Sequence, residues 1–182
     1  MFQALSSKII GGFISLSMML LSSYEGNNAR FSDISYSFLG DKIFISAKLE
    51  SAFENDFEEI FKSGQQIDIY FNIEFKNGSN VIFSDEFVHS VIFDPLSQFF
   101  NITLEEQKEN FTTDTYQQLI EKISQIDYTY ENAELDNTVV SLESSLKKIR
   151  LQSMKKKYDL MMLWNFKKPK IEQHCRKADH ES

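Results

Sequence analysis

The residue types that most often carry chemistry are scarce in this chain. Its three histidines are His89, His174 and His180, and Cys175 is the single cysteine. Metal binding needs His, Cys or carboxylate side chains that converge on one point. His89 lies in an alternating run, Phe87, His89, Val91, Phe93, where a surface or hydrogen-bonded core histidine is expected rather than a ligand. His174, Cys175 and His180 cluster near the carboxyl end. Such a trio could pick up zinc or copper by chance, but a built centre is not expected, and no metal or cofactor is assigned. A thiol nucleophile needs an imidazole held against it by a third group. Cys175 and His174 are neighbours in sequence, which does not supply that geometry. There is no Gly-x-Ser-x-Gly elbow, and no glycine-rich loop ends in Lys-Ser or Lys-Thr, so phosphate cradling has no candidate either. No catalytic residue is assigned.

Carboxylates are abundant and unselective. Glu54, Asp56, Glu58, Glu59, Asp85, Glu86, Glu105, Glu106 and Glu109 offer many pairs that could divide acid and base work on a glycoside. They fall on expected helix faces or strand ends beside Lys62 and Lys108, where a solvated face is the default. Glu58 and Lys62, four residues apart, make an ordinary surface pair worth a few tenths of a kcal/mol.

The most conspicuous charged feature is a candidate basic surface: Lys147, Lys148, Arg150, Lys155, Lys156 and Lys157, with Lys167, Lys168 and Lys170 beyond it. Residues 1–145 hold 8 basic and 23 acidic groups, a balance of −15, and residues 146–182 hold 11 and 4, a balance of +7. Three uses of the basic stretch compete. It can pair with the acidic body of the same chain, or meet anionic lipid headgroups at about 1 kcal/mol per basic residue. The third use, nucleic acid, is disfavoured because a body of −15 repels phosphate.

The elements that must position these residues belong to a chain of 182 residues, near the size of one domain. Apolar residues make up 42 % and charged ones 25 %, which excludes a disordered polymer and a multi-pass membrane protein. Seventeen Phe and seven Tyr against six Gly and two Pro place much of the apolar content in rings, which suit half-buried pleated surfaces. At the amino end, Lys8 precedes the uncharged stretch from Ile9 to Ser23, and a polar exit follows from Tyr24 to Asn28. That order fits a secretory segment, either cleaved or retained as an anchor with the body on the outer face. About 15 residues are short for a bilayer crossing, which takes roughly 20.

In the body, Ile34, Tyr36 and Phe38 alternate, Gly40-Asp41 punctuates, and Ile43, Ile45, Ala47 and Leu49 alternate again, which predicts a hairpin. Ser51 and Glu54 have capping-box spacing ahead of Phe53, Phe57, Ile60 and Phe61, and Gly64 stands where a left-handed cap is wanted: a short helix. Ile67 to Phe75 is the cleanest alternation, followed by the Asn77-Gly78 turn signal and a return strand through Phe93. Phe100 to Leu104 predicts a strand, Asp114 to Ile123 a second helix, and Tyr128 to Tyr130 another strand. Val139, Leu142, Leu146 and Ile149 have helical spacing, so a basic helix is expected there. Tyr158 to Phe166 predicts a strand buried on both faces.

The order of these elements, with Lys62-Ser63-Gly64, then Ile67-Asp68-Ile69-Tyr70-Phe71-Asn72-Ile73-Glu74, then a distant Leu163-Trp164-Asn165-Phe166, resembles small exported bacterial proteins of a domain-of-unknown-function family. The likeness spans roughly residues 30–166 and departs at the basic segment 136–157. It implies export and a β-rich fold, and it lends no activity. The expected architecture is α+β, mainly antiparallel and sandwich-like with two or three short helices, behind an N-terminal hydrophobic export or anchor helix. Residues 1–29 are assigned to the signal peptide or uncleaved anchor, 30–166 to a single β-rich domain and 167–182 to a loose polar tail. The expected function is a non-enzymatic interaction module of the envelope with an envelope protein as partner. The membrane is a second partner if the N-terminal segment is uncleaved; nucleic acid is not one. The expected place is the periplasm or the outer side of the cytoplasmic membrane. The alternative is a carrier or sensor that holds an apolar ligand or lipid between sheet and helices.

Overall fold

The computed structural model describes residues 26–55, 57–131, 138–150 and 157–176. The expected export segment therefore lies outside the described residues, apart from its last few positions. Among the described residues the fold is mostly antiparallel β with two short α-helices. Its larger sheet has six strands, β4 (Ile67–Asn77), β5 (Asn80–Asp94), β6 (Phe99–Leu104), β7 (Glu109–Thr113), β9 (Thr138–Leu146) and β12 (Lys170–Cys175), in the order β12-β9-β4-β5-β6-β7. Every inward residue of β4, from Ile67 through Ile69, Phe71 and Ile73 to Phe75, is fully buried. That is the burial a period of two produces in a strand paired on both edges.

A smaller sheet packs on this inner face. In it β3 (Lys42–Glu50) lies between β2 (Ser35–Leu39) and β8 (Gln125–Tyr130), and the short β1 (Arg30–Phe31) pairs with the carboxyl end of β3. Rings lock the two layers together. Tyr128 of β8 stacks on Phe87 of β5 at 5.5 Å between centroids, and Tyr130 meets Phe83 at 4.4 Å and Phe75 at 5.1 Å. The Tyr128 hydroxyl also donates to Asp85 Oδ2 at 2.8 Å.

The helices α1 (Phe57–Phe61) and α2 (Tyr116–Ser124) close the sides. The first is shorter than its spacing predicts. Ser51 sits at φ 48°, a left-handed conformation that an N-cap residue does not adopt, so the capping box does not form. Gly64, at φ 75°, does take the left-handed conformation expected of it.

Three expectations for the carboxyl third are corrected. The segment from Val139 is β9, not a basic helix. Its Val140, Leu142 and Leu146 share the buried face, while Val139 faces the other way, so period two prevails over the 3.6 spacing. The second edge of β4 supplies the partner, from Ile69 opposite Leu146 to Lys76 opposite Val139. The segment through Trp164 is a 3-10 helix, Leu160–Trp164, set between the β10 (Lys148–Arg150) and β11 (Lys157–Asp159) hairpin and β12. The Asp159 carboxylate accepts from Met161 N, and Asn165 closes the other end in the left-handed region. Finally, the tail expected to be loose from residue 167 contributes β12. Six of its residues pair with β9, and Cys175 is fully buried.

Trp164 anchors this region. Its indole Nε1 donates to the Ala52 carbonyl at 2.8 Å, and Phe53 lies 6.1 Å away between ring centroids. The chain enters beside it: Asn27 N donates to Leu163 O at 2.7 Å, and a Cβ on Gly26 would meet Asn165 Oδ1 at 2.5 Å. Trp164→Phe keeps most of the packing but orphans the Ala52 carbonyl. It is expected to lower stability by about 1–3 kcal/mol, read as a fall in the urea midpoint with little change in slope.

Candidate functional site

Alternation along β2, β3 and β8 sends one set of side chains into the core and the other outward. On the outward face Ser37, Phe44 and Thr129 form one row, and Ser35, Ser46 and Asp127 form the next. Five of these six are short, so the sheet surface dips between longer neighbours. The result is an open groove of about 320 Å³. Phe44, 39 % exposed, stands in it as an apolar wall. Asp127 Oδ1 accepts from Ser46 Oγ at 2.8 Å and from Gln125 Nε2 at 3.1 Å, which fixes the carboxylate. Its second oxygen and the hydroxyls of Ser37 and Thr129 have no partner among the described residues.

The opposite outer face, on the six-stranded sheet, is built differently. Many of its polar side chains pair with one another, while Ile92 and Phe99 are exposed on it. Lys76 sits 2.9 Å from Glu74 and 3.4 Å from Glu172, Lys170 is 3.1 Å from Glu172, and Lys168 is 2.7 Å from Glu143. Ser90 bonds Asp68 at 2.7 Å, and Thr103 bonds Asn110 at 2.8 Å.

The members of the expected basic surface divide. Lys147 lies over the Tyr70 ring at 3.4 Å from its centroid and 3.7 Å from Glu86, and Lys148 is 3.4 Å from Asp159. Arg150 and Lys157 are opposite one another in the β10–β11 hairpin. Lys155 and Lys156 lie outside the described residues. The carboxyl-end trio is likewise divided: His174 is exposed, Cys175 is buried, and His180 lies outside the described residues. Burial pushes the Cys175 thiol up to about 11, so it holds little thiolate at neutral pH. Among the described residues no group of three or more His, Cys, Asp or Glu is placed to hold a metal ion.

Among the described residues one ionisable pair is buried. His89 Nε2 is 3.0 Å from both oxygens of Glu106, and Nδ1 is 2.9 Å from the Ile123 carbonyl. The side chains are 0 % and 1 % exposed. Burial pushes the Glu106 carboxyl up, but the bond and attraction of His89, with a further bond from Gln107, hold it below the usual carboxylate range. With a carboxylate on one side and a carbonyl on the other, both contacts are hydrogen bonds only when both ring nitrogens carry protons. The ring lies 4.6 Å from that of Phe71. His89 is thus a satisfied core histidine, and it ties β5 to the β6–β7 turn and to the end of α2. Rings elsewhere in the core pack on each other as well: Phe71 on Phe87 at 5.3 Å, Phe53 on Phe57 at 5.2 Å, and Phe93 on Phe100 at 4.9 Å.

Sequence motifs do not mark the groove. The signal that could have found it is the polar phase of the first hairpin, where Ser35, Ser37 and Ser46 alternate with apolar residues around an exposed Phe44. No known protein family, no curated protein and no solved structure matches the chain.

A group whose folded carboxyl titrates below its unfolded value stabilises the fold above the free carboxylate range, about pH 4.3, and loses that contribution as the pH falls through the folded value. The urea midpoint is therefore expected to drop steeply below about pH 4.3. Glu106→Gln should flatten that limb, and Glu106→Ala should cost about 1–3 kcal/mol at pH 7 by leaving His89 Nε2 buried without its partner. Cys175 should react with Ellman's reagent at pH 8 only once the chain is unfolded.

Proposed function

We propose that the chain is an exported envelope protein whose β-rich, sandwich-like domain is a non-enzymatic interaction module. Its binding face is the outer surface of the three strands β2, β3 and β8. The observation that carries this reading is the groove: a dip of about 320 Å³ floored by short side chains, with an exposed ring and open hydrogen-bonding groups. The contrast between the two outer faces supports it, since one is laced by internal ion pairs and the other offers unsatisfied groups outward. Export is supported by Lys8 and the uncharged run from Ile9 to Ser23. The partner is another component of the envelope, with an envelope protein as the class expected from the sequence. The alternative of an apolar-ligand carrier asks for a void between sheet and helices, where the rings pack on each other.

A photo-crosslinking residue placed at Ser37 in the native host should give one discrete adduct in the envelope fraction. The same residue at Thr103, on the opposite face, should give none. Equal labelling from both positions, or no adduct from Ser37, would overturn the reading, as would recovery of the full-length chain in the cytosol.

A further inference from the structure

Resting on that reading of the binding face, we propose that the groove recognises a neutral polyhydroxylated ring, a pyranose unit of an envelope glycan. Three observations on the site point to this chemistry. The first is the pairing of an exposed aromatic ring, Phe44, with a held carboxylate. A sugar ring presents a patch of C–H groups on its face and hydroxyls at its rim, so it needs an apolar platform beside planar hydrogen-bonding groups. Asp127 supplies one such group, kept in place by Ser46 and Gln125 and with Oδ2 still open.

The second is the density of hydroxyls. Ser37 and Thr129 flank Phe44 in its own row, and Ser46 and Asp127 lie in the next row, about 6.8 Å along the strands. Hydroxyls both donate and accept, so they match ligand hydroxyls in either sense. The third is charge. The charged groups around this face are Lys42, beside Glu131 and Asp41, Arg30, paired with Glu50, and Lys48, with Asp127 on the floor. Three positive charges against four negative ones leave only a weak net field to select an ion. That argues against a phosphate or a basic peptide and for a neutral ligand. The size agrees as well, because about 320 Å³ admits one or two sugar rings lying on the sheet.

The test uses the full chain, isotope-labelled and held in detergent, titrated by NMR with N-acetylglucosamine, galactose, glucose and, as a cationic control, lysine amide. At least one sugar should shift the amides of Phe44, Ser46, Asp127 and Thr129 in a saturable way at millimolar concentration. Phe44→Ala and Asp127→Ala should each weaken that affinity by about tenfold or more, with the urea midpoint nearly unchanged. The proposal is overturned if no sugar shifts these residues, if lysine amide shifts them more strongly, or if the shifts fall on the six-stranded sheet instead. A discrete protein adduct from the crosslinker at Ser37 together with silent sugars would sink the glycan and leave the binding face standing. Silence in both experiments would remove both.

Discussion

The interlock of rings between the two sheets is the contact on which the rest depends. The smaller sheet has only three long strands, and three-stranded sheets need a packed apolar face to persist in water. That face is supplied by Tyr128 and Tyr130, which meet Phe87, Phe83 and Phe75 of the larger sheet. Such pairs contribute about 0.5–1.5 kcal/mol each beyond the area they bury. Burial, followed by its bond to Asp85, pushes the Tyr128 hydroxyl well above the usual phenol range. It stays a neutral donor at any physiological pH, and the contact does not titrate. The groove is the reverse side of this seam: turning the tyrosines inward turns Asp127 and Thr129 outward.

Polar chemistry is distributed to match. Inside, among the described residues, the buried His89–Glu106 pair bridges β5, the β6–β7 turn and α2, and both ring nitrogens have partners. On the outer face of the larger sheet, lysines and carboxylates neutralise one another across β4, β9 and β12, which also protects a broad flat surface from unwanted pairing. The smaller sheet departs from this pattern by keeping hydroxyls and a carboxylate oxygen open, so the two outer faces are not equivalent.

The parts of the fold that sequence reading reached are those where one period stands alone. Ile67 to Phe93 is alternation with an Asn-Gly turn, and the structure is a hairpin with the same two faces. Val139 to Ile149 satisfies both periods, and only the empty edge of β4 decides for a strand. Leu160, Leu163 and Trp164 are buried at helical spacing, but the run from Tyr158 to Phe166 also alternates; the left-handed turn at Asn165 decides. Cys175 looks like part of a polar tail because its neighbours are charged, yet those neighbours are the solvent phase of an outermost strand. His89 was legible only as a surface or core histidine rather than a ligand, and its partner Glu106 was hidden in a crowd of surface carboxylates, since a turn that folds inward leaves no periodic trace. The groove was invisible for a related reason: it is made of small residues brought together by pairing across strands distant in sequence.

The most direct measurement is carbodiimide labelling of carboxylates in intact cells and in the purified protein, read by mass spectrometry of the peptides. If the outer face of the smaller sheet is occupied in the envelope, Asp127 is strongly protected in cells and labelled after purification, while Glu172 and Glu74 on the other face are labelled equally in both. Labelling of Asp127 to the same extent in cells and in solution would contradict the account.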